Sequence, residues 1–311
     1  MGMRITSANQ FETSLFNLQR RQEALSLAQE RLTLGKRVIK ASDDPTAAAR
    51  GERASAIIHR SEANQRALEA SRSVMQQTEV ALGDASDLMQ QVRELVVSAG
   101  NASYSDGERQ VVATALRGLR TQLLSVANRS DGAGGFIFGG QGSTTPPFVD
   151  GPTGVDFVGT TGFLRAATDE PLPLSVDGRN TWMGALNPTA GAPDLSVFSV
   201  IDTAINDLET PGRTSAQITA GVHASLGELD ATMVHMFGWR ARAGEALNRA
   251  DSMQERLDQV KLSAETERSQ AEDLDMVKSI SDFQTQQNGY EAALKTYSIV
   301  QKLSLFDYLG N

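Results

Sequence analysis

The chain has 311 residues, enough for two or three domains, and its net charge of −9 argues against a nucleic-acid partner. It contains no cysteine, which excludes disulfides, thiolate metal ligands and a cysteine nucleophile. No run of about eighteen apolar residues occurs, so no membrane span is predicted. The first residues, MGMRITSANQ, lack the apolar core of a secretory signal peptide.

The N-terminal segment, residues 1–42, spaces its large apolar residues as one face of a helix. Those residues are Phe11, Leu15, Leu18, Leu25 and Leu32. A turn follows, formed by Ser42, Asp43, Asp44 and Pro45. Proline suits the first helical position because it needs no N–H partner there, and it keeps the preceding residue extended. Asp44 can then cap the helix with its carboxylate, so the sequence predicts a helix that begins at Pro45.

A seven-residue repeat of large apolar residues continues from this start, with small residues between them. The large residues are Leu68, Met75, Leu82, Met89 and Val96, and the residues between them are Ser71, Thr78, Ala85, Val92 and Ala99. This alternation lets helices approach closely. Residues 43–145 and 198–274 are therefore predicted to form a helical rod domain with a short β element.

Residues 146–197 differ in composition, because seven of the nine prolines lie between Pro146 and Pro193. The stretches VDFVG and LPLSVDG, like the preceding GGFIFGG, are typical of short strands between turns. We therefore expect a β-rich inserted domain on the outer surface.

The C-terminal segment, residues 275–311, is apolar on one face and poor in charge. Its apolar residues include Ile280, Phe283, Tyr290, Leu294, Tyr297 and Leu303. A continuous helix from Thr214 to Ser304 would be about 135 Å long at roughly 1.5 Å per residue, so we expect either a break near residue 275 or a rod. Such a helix gains little in water by itself. We expect both chain ends to be mobile in the free monomer and to become ordered when subunits pack together.

The predicted fold class is thus mainly α, with long antiparallel helices from both chain ends in coiled-coil packing and a β-rich insert in the middle. No catalytic residue, cofactor or metal site is predicted. His59, His223 and His235 have no carboxylate at metal-ligand spacing, and GGFIFGG lacks the Lys-Ser/Thr of a phosphate-binding loop.

Four stretches resemble the bacterial flagellin family: MRITSANQF near the start, RLTLGKRVIKASDDP, GGFIFGGQGSTTPPF, and the ending YEAALKTYSIVQKLSLFDYLG. The internal motif and the ending are most similar to those of the hook–filament junction members. The resemblance implies that the terminal helices form the assembly interface of an inner tube. It also implies that the turn from Ser42 to Pro45 redirects the chain to an outer layer.

The function implied by the resemblance is structural, with no enzymatic activity. The implied partners are further copies of this chain, the hook-side junction protein, flagellin, and a cytoplasmic export chaperone on the C-terminal helix. Secretion through the flagellar export apparatus is implied as well. Two alternatives stay open at this point: a filament subunit, and a secreted adhesin or enzyme whose insert binds a glycan.

Overall fold

The computed structural model describes residues 2–101, 104–166, 168 and 170–309, and describes side chains within 12–299 of those ranges. The elements are α1 (Gly2–Leu34), α2 (Pro45–Ala99), α3 (Asp106–Ala127), β1 (Phe148–Gly151), β2 (Gly154–Phe157), α4 (Gly178–Met183), α5 (Val197–Glu209), α6 (Ser215–Glu272) and α7 (Met276–Leu309). The mainly α class is confirmed, as is the helix break near residue 275. Within the described residues, no helix is long and apolar enough to cross a membrane.

The chain divides into two compact units. The first unit comprises Met1–Ser61 and Gln259–Asn311, and the second comprises Glu62–Asp258. The predicted domain limits near residues 42 and 275 fall at breaks between helices, whereas the compact units divide inside α2 and α6. The three-part division stays a prediction.

The core of the second unit is built from the apolar residues that were predicted to lie on one face of each helix. Every member of the α2 repeat from Leu68 to Val96 is buried, and so are the small residues between them. α3 adds its own buried row, while α5 presents Phe198 and Ile201 to the same core. The seven-residue repeat therefore marks the positions that face neighbouring helices.

The predicted β-rich inserted domain is wrong. In the described residues the only sheet is the antiparallel hairpin of β1 and β2, in which Phe148 pairs with Phe157 and Gly151 with Gly154. The GGFIFGG and LPLSVDG stretches contribute isolated bridges instead. Prolines remove ladder donors, and glycines with positive φ, such as Gly140 and Gly162, turn the chain before a strand can extend.

The insert is also part of the main core. Trp182 stacks on Phe198 of α5 with ring centroids 5.8 Å apart, and Phe138 and Phe148 contact Trp182 edge-on. Outside this cluster, Arg120 of α3 donates to Asp150 of the hairpin at 2.7 and 2.8 Å. Residues 146–197 thus pack with the helices of the second unit.

The GGFIFGG motif has a packing role. Its Ile137 and Phe138 are buried, and the Gly140 backbone approaches Thr160 so closely that a Cβ at position 140 would overlap the Thr160 carbonyl. His235 Nε2 lies 2.7 Å from the Asn180 carbonyl oxygen and 3.0 Å from Trp239 Nε1, so it is held within the second unit. The described residues include no cluster of potential metal ligands.

Candidate assembly surface

The two terminal helices pack against each other within the first unit. The Leu274 N–H donates to the Gly35 carbonyl at 3.0 Å, and further along the helices the Arg21 guanidinium lies against Gly289. Because α1 positions fall as α7 positions rise between these two contacts, the helices run antiparallel. None of their described side chains, residues 12–34 and 276–299, is buried.

The predicted interface residues are therefore only partly covered. Leu15, Leu294 and Ile280 remain 38%, 40% and 46% exposed. The half-buried members are Leu18, Leu25, Leu32, Phe283, Tyr290 and Tyr297. The side chains of Phe11 and Leu303 lie outside the described residues. Each helix thus turns part of its apolar face to its partner and leaves the rest in water.

The sequence predicted one apolar face on each terminal helix. A second row of apolar side chains, which the structure leaves exposed, was not predicted. On α1 this row comprises Phe16, Leu27 and Leu34, and on α7 it includes Val277 and Ile299. The intervals of eleven and seven residues in α1 keep these side chains on one face, because eleven residues make about three helical turns. A search for that longer period would have found them.

A linker joins α1 to α2 beside the break between α6 and α7. α1 ends at Leu34, and Gly35 takes the left-handed φ of +66° that favours glycine. The Arg37 N–H donates to the Glu272 carbonyl at 2.7 Å, and Lys36 forms an antiparallel bridge with Asp273. The two interruptions of the helices are therefore tied together by backbone hydrogen bonds.

The predicted cap is confirmed, although the functional role of the turn stays a prediction. Asp44 Oδ1 accepts from the Ala47 N–H at 3.0 Å, and α2 begins at Pro45. Asp43 Oδ2 accepts from the N–H groups of Ile39 and Lys40, each at 3.0 Å. Ser42 is exposed in this turn.

These hydrogen bonds also shift the acidity of both carboxyl groups. The backbone donors at Lys40 and Ile39 lower the pKa of Asp43, and the Ala47 N–H, helped by Arg37, lowers the pKa of Asp44. Arg37 donates to Asp44 at 3.1 Å and to the Ala271 carbonyl at 2.8 Å. The guanidinium thereby joins the linker to the end of α6.

The Glu272 side chain makes a further contact between the linker, α6 and α2. Lys36 Nζ lies 2.7 Å from Glu272 Oε2, and the Glu272 side chain crosses the surface of α2 at Gly51. A Cβ at position 51 would overlap the Glu272 carboxylate. An alanine at position 51 would therefore make the flexible Glu272 side chain shift from this position.

The exposed apolar side chains of this surface favour association. The carboxylates of the linker turn are held by backbone donors and by Arg37, and the terminal helices expose apolar side chains among their polar ones. Removing apolar surface from water contributes roughly 25 cal/mol per Å². Several such side chains on two paired helices would favour contact with further helices.

Comparison with known proteins agrees with this picture. The model of the bacterial flagellin N-terminal helical region matches residues 6–143. Flagellar hook-associated protein 3 of Escherichia coli strain K12 is 28% identical over 292 residues, which cover 89% of this chain and 90% of that protein. The flagellin of Bacillus subtilis strain 168 is 26% identical over 265 residues, 82% of each chain.

The fold is shared with a solved relative. The crystal structure of flagellar hook-associated protein 3 from Legionella pneumophila matches with a TM-score of 0.62 at 18% identity, covering 69% of this chain and 97% of that one. The chain carries the bacterial flagellin N-terminal helical region and, over most of its length, resembles hook-associated protein 3, which supports a place among the hook-associated proteins of the flagellin family.

Proposed function

We propose that this chain is a structural subunit of the bacterial flagellum that joins the hook-side junction protein to the flagellin filament. The observation that carries the proposal is the pairing of α1 and α7 with apolar side chains left exposed on both helices. A stable monomer has little use for such a surface, whereas a tube of identical subunits buries it.

The linker supports the same function. A subunit that contributes to two concentric layers needs a fixed angle between its terminal helices and the rest of the chain. Hydrogen bonds from Arg37 and Lys36 to the end of α6, with the cap at Asp44, set the chain direction at both breaks. The turn from Ser42 to Pro45 would act as this joint in every copy.

Export through the flagellar apparatus follows from the same proposal. A subunit that assembles outside the cell must be kept from associating inside it. A cytoplasmic chaperone would cover the C-terminal helix at Tyr290, Leu294, Tyr297 and Leu303. Since Leu294 is 40% exposed in the α1–α7 pair, such a chaperone would find apolar surface there.

The test is to delete the gene in the source organism and examine its flagella by electron microscopy. We expect hooks without filaments and flagellin released into the medium, with filaments restored by the wild-type gene. Normal filaments in the deletion strain would refute the junction role. Unaided growth of the purified chain into long filaments on a flagellin seed would instead identify a filament subunit.

The glycan-binding alternative has less support. Such a site would need aromatic rings presented on the insert. Trp182 is buried and Phe157 packs against the main core, which leaves Phe163 as the exposed aromatic among the described residues of the insert.

A further inference from the structure

A cleft of about 380 Å³ opens in the second unit between α2, α6 and the loop 163–177. Its walls include Phe163 and Arg165 from the loop and Trp239 and Arg242 from α6, and these four residues define the arginine cleft. This volume lies in the range of about 300–1,000 Å³ that ligand sites occupy, and aromatic walls with a few polar groups are typical of them.

Two of the three arginines that line the cleft, Arg165 and Arg242, have unusual surroundings in an acidic chain. Each guanidinium lies over a ring, Arg165 over Phe163 and Arg242 over Trp239, with 4.6 Å to the ring centroid in both cases. Within the described residues, neither arginine forms a salt bridge with a carboxylate. A guanidinium that lies over a ring can still donate N–H groups to a carboxylate.

The acidic residues of the cleft do not neutralise this charge. Asp177 is buried, and its oxygens accept from the Gly162 N–H at 2.8 Å and the Asn180 N–H at 3.1 Å. Glu245 lies 3.8 Å from Arg249, and both side chains are more than half exposed. The cleft therefore fits a partner that carries a carboxylate beside an apolar side chain.

The second unit itself presents a segment of this chemistry. Residues 186–194, here named the leucine loop, are closed at their base by two backbone hydrogen bonds between Ala185 and Leu195, of 2.7 and 3.2 Å. Leu186 is 79% exposed, and Asp194 is exposed with no ion-pair partner in the described part of the chain. A loop fixed at its base loses little entropy when it docks.

We propose that the arginine cleft of one copy receives the leucine loop of a second copy, with Leu186 against the aromatic wall and Asp194 paired with the arginines. Cleft and loop are different patches, so the contact is heterologous and repeats from copy to copy instead of closing in a dimer. The inference rests on the proposed function in that copies of the chain pack together. It assigns the second unit a contact separate from α1 and α7.

Cross-linking between single-cysteine variants tests this contact, because the natural chain has no cysteine. Full-length Ala190→Cys, at an exposed position of the leucine loop that leaves Leu186 and Asp194 in place, is mixed with full-length Pro171→Cys, which places a thiol at the cleft, and the mixture is treated with a short bis-maleimide. We expect a heterodimer from this pair. The matched control replaces Ala190→Cys by Val158→Cys, another exposed aliphatic position of the same unit.

Charge reversal supplies the second arm. Arg165→Glu with Arg242→Glu in the Pro171→Cys chain should lower the heterodimer yield about tenfold, and Asp194→Arg in the Ala190→Cys chain should restore it. The milder Arg242→Gln keeps the test valid if the double variant folds poorly. Equal yields with the Val158→Cys control, no effect of charge reversal, or loss without restoration by Asp194→Arg would each overturn the loop as the occupant.

A Leu294→Asp background separates this inference from the proposed function. With the terminal helices disabled, the cross-link should persist at high protein concentration if the cleft contact exists. A chain that assembles normally but gives no specific cross-link overturns the cleft contact and leaves the junction function standing.

Discussion

The second half of α2 and the whole of α7 carry similar apolar spacing but differ in what covers it. Leu82 and Met89 of α2 are fully buried in a cluster that includes residues of α3, α5, α6 and the insert, while no described side chain of α7 is buried. The apolar spacing of a helix thus predicts which residues form its contact face. Whether that face is buried within one chain depends on how many elements pack around the helix. The terminal pair has apolar surface left for other chains.

The largest effect is expected from a charge placed on the apolar face of α7. Leu294→Asp should abolish self-assembly, because a carboxylate would enter the surface that copies bury against each other. The unfolding transition of the second unit should stay unchanged, since Leu294 belongs to the first unit. Light scattering measures assembly and urea denaturation measures stability. Gln287→Asp, at an exposed polar position of α7, is the matched control and should assemble.

A substitution in the core of the second unit should instead lower the unfolding free energy of the chain. Trp182 is 1% exposed and contacts Phe138, Phe148 and Phe198, so Trp182→Ala should cost about 3–5 kcal/mol of unfolding free energy. The urea midpoint of the full chain checks this loss. Leu186→Ala, at a side chain that is 79% exposed, should change the unfolding free energy by less than about 0.5 kcal/mol. Equal losses would show that the aromatic cluster does not hold the unit together.

The same contrast explains which features could be predicted from the sequence. Local signals were sufficient for the start of α2 at Pro45, because proline and the capping aspartate act within one turn. The seam from Leu68 to Val96 was also readable, since a repeat of seven residues is one face of a helix. The family followed from four short motifs.

Features that depend on contacts between residues far apart in the chain could not be predicted from the sequence. Lys36 and Glu272 are 236 positions apart, and neither carries a local signal of their pairing. The insert was predicted to be β-rich because glycine, proline and alternating residues favour short strands, yet Trp182 packs it into the helical core. The second exposed row of α1, which includes Phe16, was missed because only one helical period was followed.

A smaller effect is expected from alanine at two helical glycines. Replacing an open helical glycine by alanine stabilises a helix by up to about 1 kcal/mol, and Gly118 of α3 has nothing near its missing Cβ. At Gly51 the new Cβ would displace the Glu272 carboxylate from Lys36, which should cancel that gain. The Arg37 N–H donates to the Glu272 backbone carbonyl, and the Lys36–Glu272 side-chain pair joins the same two segments. Amide exchange at Arg37 should therefore become faster in Gly51→Ala and stay unchanged in Gly118→Ala. A gain at both positions would show that the Glu272 contact is dispensable.

The smallest effect is a loosening of the linker by acid. The pKa of Asp43 is lowered by its bonds to Lys40 and Ile39, so its stabilising contribution is complete above the ordinary value near about 4 and is lost as the pH falls through the lower, folded-state pKa. Exchange protection of the Ile39 and Lys40 amides, compared with intrinsic rates at each pH, should therefore fall below about pH 4. Asp43→Asn should remove this pH dependence. The amide of Leu116 serves as the internal reference, because this buried residue lies in the apolar core of the second unit. If protection at Leu116 fell together with that at Ile39, acid would be unfolding the whole chain, and the linker would have no separate sensitivity.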